Sequence, residues 1–276
     1  MSEIKETIDA VSKLTENIPI YEDLVQPTAQ ELGRNLHTVS KVVTVALSPV
    51  KGLVWGFERI EAYLSDSLSQ KLENTAEKNI QAPPVKIAGP VFEALRFCSE
   101  EIELKEMFAN LLANSMDKKT KHEAHPAFVE VLKNINGEEA KILLYIAAQN
   151  NSNYVFPVID QSIFFKSSSS STIINPLTSM IASDAGCQFL EMAVTYINNL
   201  TRLGILVISD HALVKAGMYD EIEKSKLFIK NKKNIESMQQ HSKDTIKHKS
   251  TKKNISLTNF GIDFINIAVR DKNIKI

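Results

Sequence analysis

The chain has 276 residues, of which 43% are apolar and 24% charged, with a net charge of -1. That balance excludes wholesale disorder, and the length suffices for a buried core without covalent staples. Cys98 and Cys187 are the two cysteines, with no C-x-x-C pair, which excludes a disulfide framework or a cysteine zinc motif and fits a reducing, cytoplasmic setting.

The first 82 residues read as a helical region. An apolar run at 42–57 is punctuated by Pro49, Gly52 and Gly56, and Phe57, Ile60, Leu64 and Leu68 follow at helical spacing. The run is shorter than the roughly 20 residues a membrane span requires and contains Lys51. It is therefore read as a core helix pair, with membrane contact through Trp55 as the alternative.

A second helical region is expected over 83–135. Pro83 and Pro84 mark its boundary, and Pro90 is placed to open a helix. Leu104, Met107, Phe108, Leu111, Leu112 and Ser115 trace one helical face, with Glu100, Glu101 and Glu103 at its start. After a polar turn, His125-Pro126 opens another helical pattern through Phe128, Val131 and Leu132.

The third region, 136–276, is expected to be a winged-helix-like α+β unit, making the whole chain mainly α. Asn136 and Glu139 form a capping-box pattern that predicts a helix through Ile142, Leu143 and Ile146. Residues 150–183, with serines at 167–171, read as an irregular insertion. A helix over 186–203 ends at Gly204, Ile205–Ile208 reads as a strand, and 254–258 as its partner. Thr258 caps a last helix bearing Phe260, Phe264 and Ile267. The segment 209–254 is then a long basic wing tip.

Charge is polarised along the chain. From residue 201 onward there are 15 Lys and Arg against 8 Asp and Glu, a balance of +7, which leaves -8 for the preceding 200 residues. The lysines of 224–253 fit either a solvated face or an anionic partner, and Lys243, Lys247, Lys249, Lys252 and Lys253 are the candidate nucleic-acid contacts. Arginine and aromatic residues are scarce in this stretch, which favours an interaction wing over a sequence reader.

Catalytic signals are sparse. His122-x-x-His125 supplies only two ligands where a catalytic metal normally takes three, and Cys98 falls on an apolar helix face. No nucleophile elbow, phosphate loop, dinucleotide fingerprint or H-E-x-x-H pattern occurs. The expectation is a non-enzyme with no cofactor or metal.

Several segments carry a family resemblance: Tyr21-Glu22-Asp23-Leu24-Val25-Gln26-Pro27, Glu31-Leu32-Gly33, Ala46-Leu47-Ser48-Pro49, Leu53-Val54-Trp55-Gly56, Ile87-Ala88-Gly89-Pro90, Glu93-Ala94-Leu95-Arg96, residues 104–116 and Ala124-His125-Pro126-Ala127-Phe128. With Leu200-Thr201-Arg202-Leu203-Gly204 and Leu257-Thr258-Asn259-Phe260-Gly261, they resemble the Abi-alpha (abortive infection alpha) family over roughly 20–270. The resemblance implies a bacterial or phage-encoded protein associated with abortive infection, and it brings no catalytic residues. Three modes of action follow as expectations: binding a protein partner or sensing, nucleic-acid binding through the lysines, and membrane action through 42–57.

Overall fold

A computed structural model describes residues 36–51, 58–98, 101–149, 154–212, 217–242 and 244–273. Trp55 and Lys243, both singled out above, lie outside the described residues.

The helical part comprises α1 (Leu36–Lys51), α2 (Glu58–Lys71), α3 (Val85–Leu95), α4 (Ile102–Met116), α5 (Ala127–Lys133) and α6 (Gly137–Ala148). Their apolar stripes build one core. Ile60, Leu64 and Leu68 on α2, and Leu72 just after it, are buried at four-residue spacing, and Val43 and Leu47 of α1 join them. Helix α4 sits at the centre: every residue from Met107 to Met116 is buried, including Asn110, Asn114 and Ser115. It is covered on all sides from Met107 onward, whereas the periodicity predicts one buried face. Two local expectations differ in detail. Asn136 and Glu139 do form the reciprocal capping box at the start of α6. Pro90, however, lies inside α3, whose N-cap is Pro84; its ring replaces one helical N–H without ending the helix.

The remainder adds β1 (Val155–Phe165), β2 (Ser170–Thr178), α7 (Ile181–Asp184), α8 (Ala193–Arg202), β3 (Leu206–Ser209), α9 (Asp220–Lys224), α10 (Lys226–Ser237), β4 (Ile246–Leu257) and α11 (Asn259–Phe264), which runs into a π-helical turn, Ile265–Val269. The four strands form one antiparallel sheet in the order β2-β1-β4-β3.

This sheet overturns the winged-helix expectation: the fold is helix-rich α+β. In a wing, the strands corresponding to β3 and β4 would pair mainly with each other. Here β3 pairs with β4 only from Leu206 to Ser209, whereas β4 pairs with β1 from Ile246 to Ser256. The stretch expected to be irregular supplies β1 and β2, joined by a tight turn at 166–169. The supposed wing tip is itself folded into α9, α10 and most of β4.

Alternation of side chains places the sheet between two layers. Val158, Ile255 and Leu257 enter the main core with α4 and α11, while Ile159 and Ile163 point the other way. There Ile159 packs with Tyr219, Ile222 and Phe228, and Ile163 with Ile235 and Ile246, so α9 and α10 cover that face.

The segments ending in Gly204 and Gly261 meet at the sheet's edge. Thr258 Oγ1 accepts from the Gly261 amide and donates to the Gly204 carbonyl, and the Thr258 amide donates to the Ile205 carbonyl. A Cβ at position 261 would stand 2.2 Å from the Ile205 carbonyl oxygen. Glycine is therefore required there by close backbone approach.

Candidate functional site

The candidate lysines are divided by the strand that carries them. Lys247, Lys249 and Lys253 face one side of β4, and Lys252 faces the other. Lys252 pairs with Glu223 at 2.9 Å and lies 4.9 Å from the centre of the Tyr219 ring. Lys253 is held between Asp160 at 2.9 Å and Asp210 at 2.8 Å. The hydrogen bonds from Asp210 and Asp160 raise its pKa above the ordinary lysine value. Both charges are thus engaged inside the protein. Lys247 and Lys249 are exposed, and neither makes an ion pair with a described carboxylate. The five-lysine site read from the sequence reduces, among the described residues, to these two.

Asp160 is buried and has two tasks. The register of β1 against β2 shifts beside it, and Asp160 Oδ1 accepts the Leu177 amide at 2.8 Å in place of a strand carbonyl. Oδ2 meets Lys253.

Between α10 and β4 lies a cleft of about 530 Å³ lined by Lys232, Lys233, Glu236, His248 and Ser250, with Phe228 and Glu223. Its floor is a polar network. Gln161, fully buried, donates Nε2 to the Phe228 carbonyl and lies 3.1 Å from His248 Nε2, while its Oε1 accepts from Asn231. An amide nitrogen can only donate, so His248 Nε2 accepts and the imidazole is neutral with its proton on Nδ1. Burial, reinforced by nearby Lys232, lowers the His248 pKa below the ordinary histidine value.

A second polar cluster joins α4 to the C-terminal segment. The last carbonyls of a helix have no partner within it. Here Asn114 Nδ2 donates to the Ile267 carbonyl at 2.9 Å, and Asn110 Nδ2 to the Ala268 and Val269 carbonyls at 3.2 and 3.4 Å. Lys272 then reaches Asn114 Oδ1, Asp117 and Thr120, and buried Lys71 bridges Glu106 at 2.8 Å and Asp271 at 3.2 Å. Burial pushes the Asp117 carboxyl up, but the Lys119 amide and Lys272 outweigh it and hold its pKa below the ordinary value. This arrangement gives the Met107-Phe108-Ala109-Asn110-Leu111-Leu112 segment a structural purpose. The sequence signal was present: two asparagines, one helical turn apart, in the otherwise apolar stretch from Met107 to Asn114.

A third feature surrounds the N-terminus of α6. Glu101 Oε1 accepts the Gly137 amide at 3.0 Å, and Glu138 accepts the amides of Gln188 and Phe189. Lys141, hydrogen-bonded to Glu138, holds that carboxyl below the ordinary range. The two carboxylates tie to one helix end the segments that carry three exposed apolar residues: Ile102 is 70% exposed, Phe189 48% and Leu190 46%. The helix expected over 186–203 begins only at Ala193; Phe189 lies ahead of a 3-10 turn, Leu190–Met192, that precedes it, and is exposed.

The remaining candidates do not converge. His122 is exposed beside Glu123 at 3.6 Å, and His125 Nδ1 accepts the Ala127 amide as a cap. Cys98 is half-buried and Cys187 buried, and burial raises both thiol pKa values. Among the described residues no three His, Cys, Asp or Glu side chains are grouped to hold a metal, and no helix is long and apolar enough to cross a membrane. Residues 42–51 lie in α1, with Val43 and Leu47 buried in the core.

Comparison with known proteins adds one assignment. No curated protein matches this sequence. A solved structure of an uncharacterized protein from the marine bacterium Alcanivorax borkumensis SK2 aligns at 16% identity and a TM-score of 0.34, covering 52% of this chain and 93% of that one. The profile of the abortive infection alpha family matches residues 56–268, most of the chain. The chain therefore belongs to the abortive infection alpha family.

Proposed function

We propose that this abortive-infection protein acts without catalysis, by binding a protein partner. The observation that supports this reading is the gathering of Ile102, Phe189 and Leu190, all large and exposed, around the N-terminus of α6. Exposed apolar side chains held together on a rigid frame mark association surfaces. Glu101 and Glu138 supply that frame through hydrogen bonds between segments distant in sequence.

The test pairs phage challenge with pull-down in cells expressing the Ile102→Lys, Phe189→Lys double variant. Loss of protection and of a specific co-purifying protein, with unchanged circular dichroism, is the expected result. Full protection by a folded double variant would refute the assignment of this surface.

A second reading rests on exposed Lys247 and Lys249, which make no ion pair with a described carboxylate. Two phosphate contacts give a salt slope of about -2 on a log-log plot for duplex DNA. Lys247→Ala with Lys249→Ala abolishes that slope if nucleic acid is bound there, and affinity unchanged by the double substitution rejects the reading.

A further inference from the structure

Strand β4 has a neighbour on both sides for only part of its length. It pairs with β1 from Ile246 to Ser256 in a register without shifts, but with β3 only from Asn254 to Leu257. In an antiparallel ladder the backbone groups of successive residues point to alternate sides. The Lys166 amide donates to the Thr245 carbonyl, so the odd-numbered residues of β4 bond to β1. The Thr258 amide donates to the Ile205 carbonyl, so the even-numbered ones face the β3 side. Past the end of β3 these are Lys252, Ser250, His248 and Ile246, and the Ile246 amide is taken by Gln239 Oε1. Among the described residues, no group hydrogen-bonds to the backbone amide or carbonyl of His248, Ser250 or Lys252.

The cleft between α10 and β4 runs along this edge, since the sheet lines it through His248 and Ser250 and not through β1. Its other wall is the stripe Ile229, Lys232, Lys233 and Glu236, at helical spacing on α10. Glu236 lies 4.0 Å from Lys232 and Glu223 2.9 Å from Lys252, so both cleft carboxylates already face a lysine. Lys233 in the cleft, like Lys247 and Lys249 on the opposite face of β4, has no carboxylate partner among the described residues.

We propose that an acidic, extended segment of a partner protein adds as a strand to the free edge of β4 at 248–252, with alternate side chains in the cleft. The backbone selects a peptide. Its own alternating N–H and C=O groups match those of the edge, whereas phosphates and carboxylates only accept and would leave the edge carbonyls unpaired. The charge selects an acidic one. Acidic side chains opposite Lys247 and Lys249, and beside Lys233, gain from the pairing, and basic ones lose. The same lysines exclude a second copy of β4, which would set like charges opposite one another; lysine is a usual guard against such self-pairing.

This surface is distinct from the one around α6, so the Ile102→Lys, Phe189→Lys variant keeps the binding described here. The full chain is titrated into a fluorescent peptide of about ten residues that alternates Glu and Val, followed by anisotropy. Saturable binding is expected, and the matched Gln-Val and Lys-Val peptides bind at least about tenfold more weakly. Residue-resolved amide exchange slows at His248, Ser250 and Lys252 when the peptide is added. It stays unchanged at Lys247 and Lys249, whose amides already bond to β1. Ser250→Pro removes an edge donor that β1 does not use, a place where a strand tolerates proline, and weakens binding at least about tenfold. Lys233→Glu with Lys249→Glu does the same through charge, and circular dichroism checks that both variants are folded. Absence of binding at about 1 mM overturns the proposal. So does binding that survives both variants, equal binding of the Gln-Val peptide, or slowed exchange only outside 248–252. A thymidine oligonucleotide that displaces the peptide and binds more tightly assigns these lysines to phosphate and also overturns it.

Discussion

Replacing Asn114 with leucine tests the central claim about α4, that its asparagines cap the C-terminal helix. Asn114 is 4% exposed and donates to the Ile267 carbonyl at 2.9 Å, while its own oxygen accepts from Lys272 at 3.2 Å. Leucine has the same branching and is somewhat larger, so no cavity arises and the lost polar partners set the least cost. The Ile267 carbonyl, on a residue 4% exposed, loses this cap, at a cost of about 1–3 kcal/mol. Lys272 keeps Asp117 at 2.9 Å and Thr120 at 3.3 Å, so its loss adds only about 1 kcal/mol. The expected destabilisation is about 2–4 kcal/mol in urea unfolding followed by far-ultraviolet circular dichroism, with the slope m unchanged. Asn114→Ala costs more, because it adds a cavity to the same lost bonds. Stability of Asn114→Leu within about 0.5 kcal/mol of wild type would refute the capping argument, since that is the usual range for substitutions of no structural consequence.

Other expectations follow from the same structure. Gly261→Ala drives a methyl group to 2.2 Å from the Ile205 carbonyl, so the two segments must separate; a loss of about 3 kcal/mol or more is expected, read as a fall in thermal midpoint, and a fall equal to that of Gly89→Ala, where nothing lies within 4 Å, would contradict it. His248 is neutral in the fold and its pKa is lowered, so the unfolded chain binds its proton first as pH falls. Stability contributed by neutral His248 is present above the unfolded histidine value of about 6.5 and declines as pH drops below it, levelling off below the lower folded value. His248→Gln, which retains an acceptor for Gln161, flattens the stability curve between about pH 7.5 and 5.5, and an identical curve would contradict a His248 held neutral by the fold. Asp160→Ala removes both the acceptor of the Leu177 amide and a partner of Lys253, costing about 3–5 kcal/mol, whereas Asp160→Asn keeps an oxygen for Leu177 and costs less. Equal losses in the two variants would show that only the charge matters.

Local order was legible where the deciding interactions are local. The Asn136–Glu139 capping box, the buried spacing of Ile60, Leu64 and Leu68, and the cap at Thr258 involve residues within a turn or two of one another. The abortive infection alpha family was legible as well, because its motifs are stretches of sequence. The lysine site was not. Lys252 and Lys253 are adjacent in the chain, yet they point to opposite faces and meet carboxylates 29 and 93 positions away, at Glu223 and Asp160.

What the sequence determined by itself was the helical framework, its caps and the family. Periodic burial and side-chain capping act over a few residues, and their signals lie side by side in the chain. Tertiary structure alone decided the sheet. β1 contains Pro157 and Asp160, and β2 begins in a run of serines; neither alternates as a half-buried strand should. Their strand form comes from pairing: β4, some 90 residues from β1, satisfies its backbone along nearly its whole length, and α9 and α10 cover the apolar side chains that result. The same long-range pairing separated the candidate lysines, so the surfaces open to partners were set by the fold rather than by any contiguous motif.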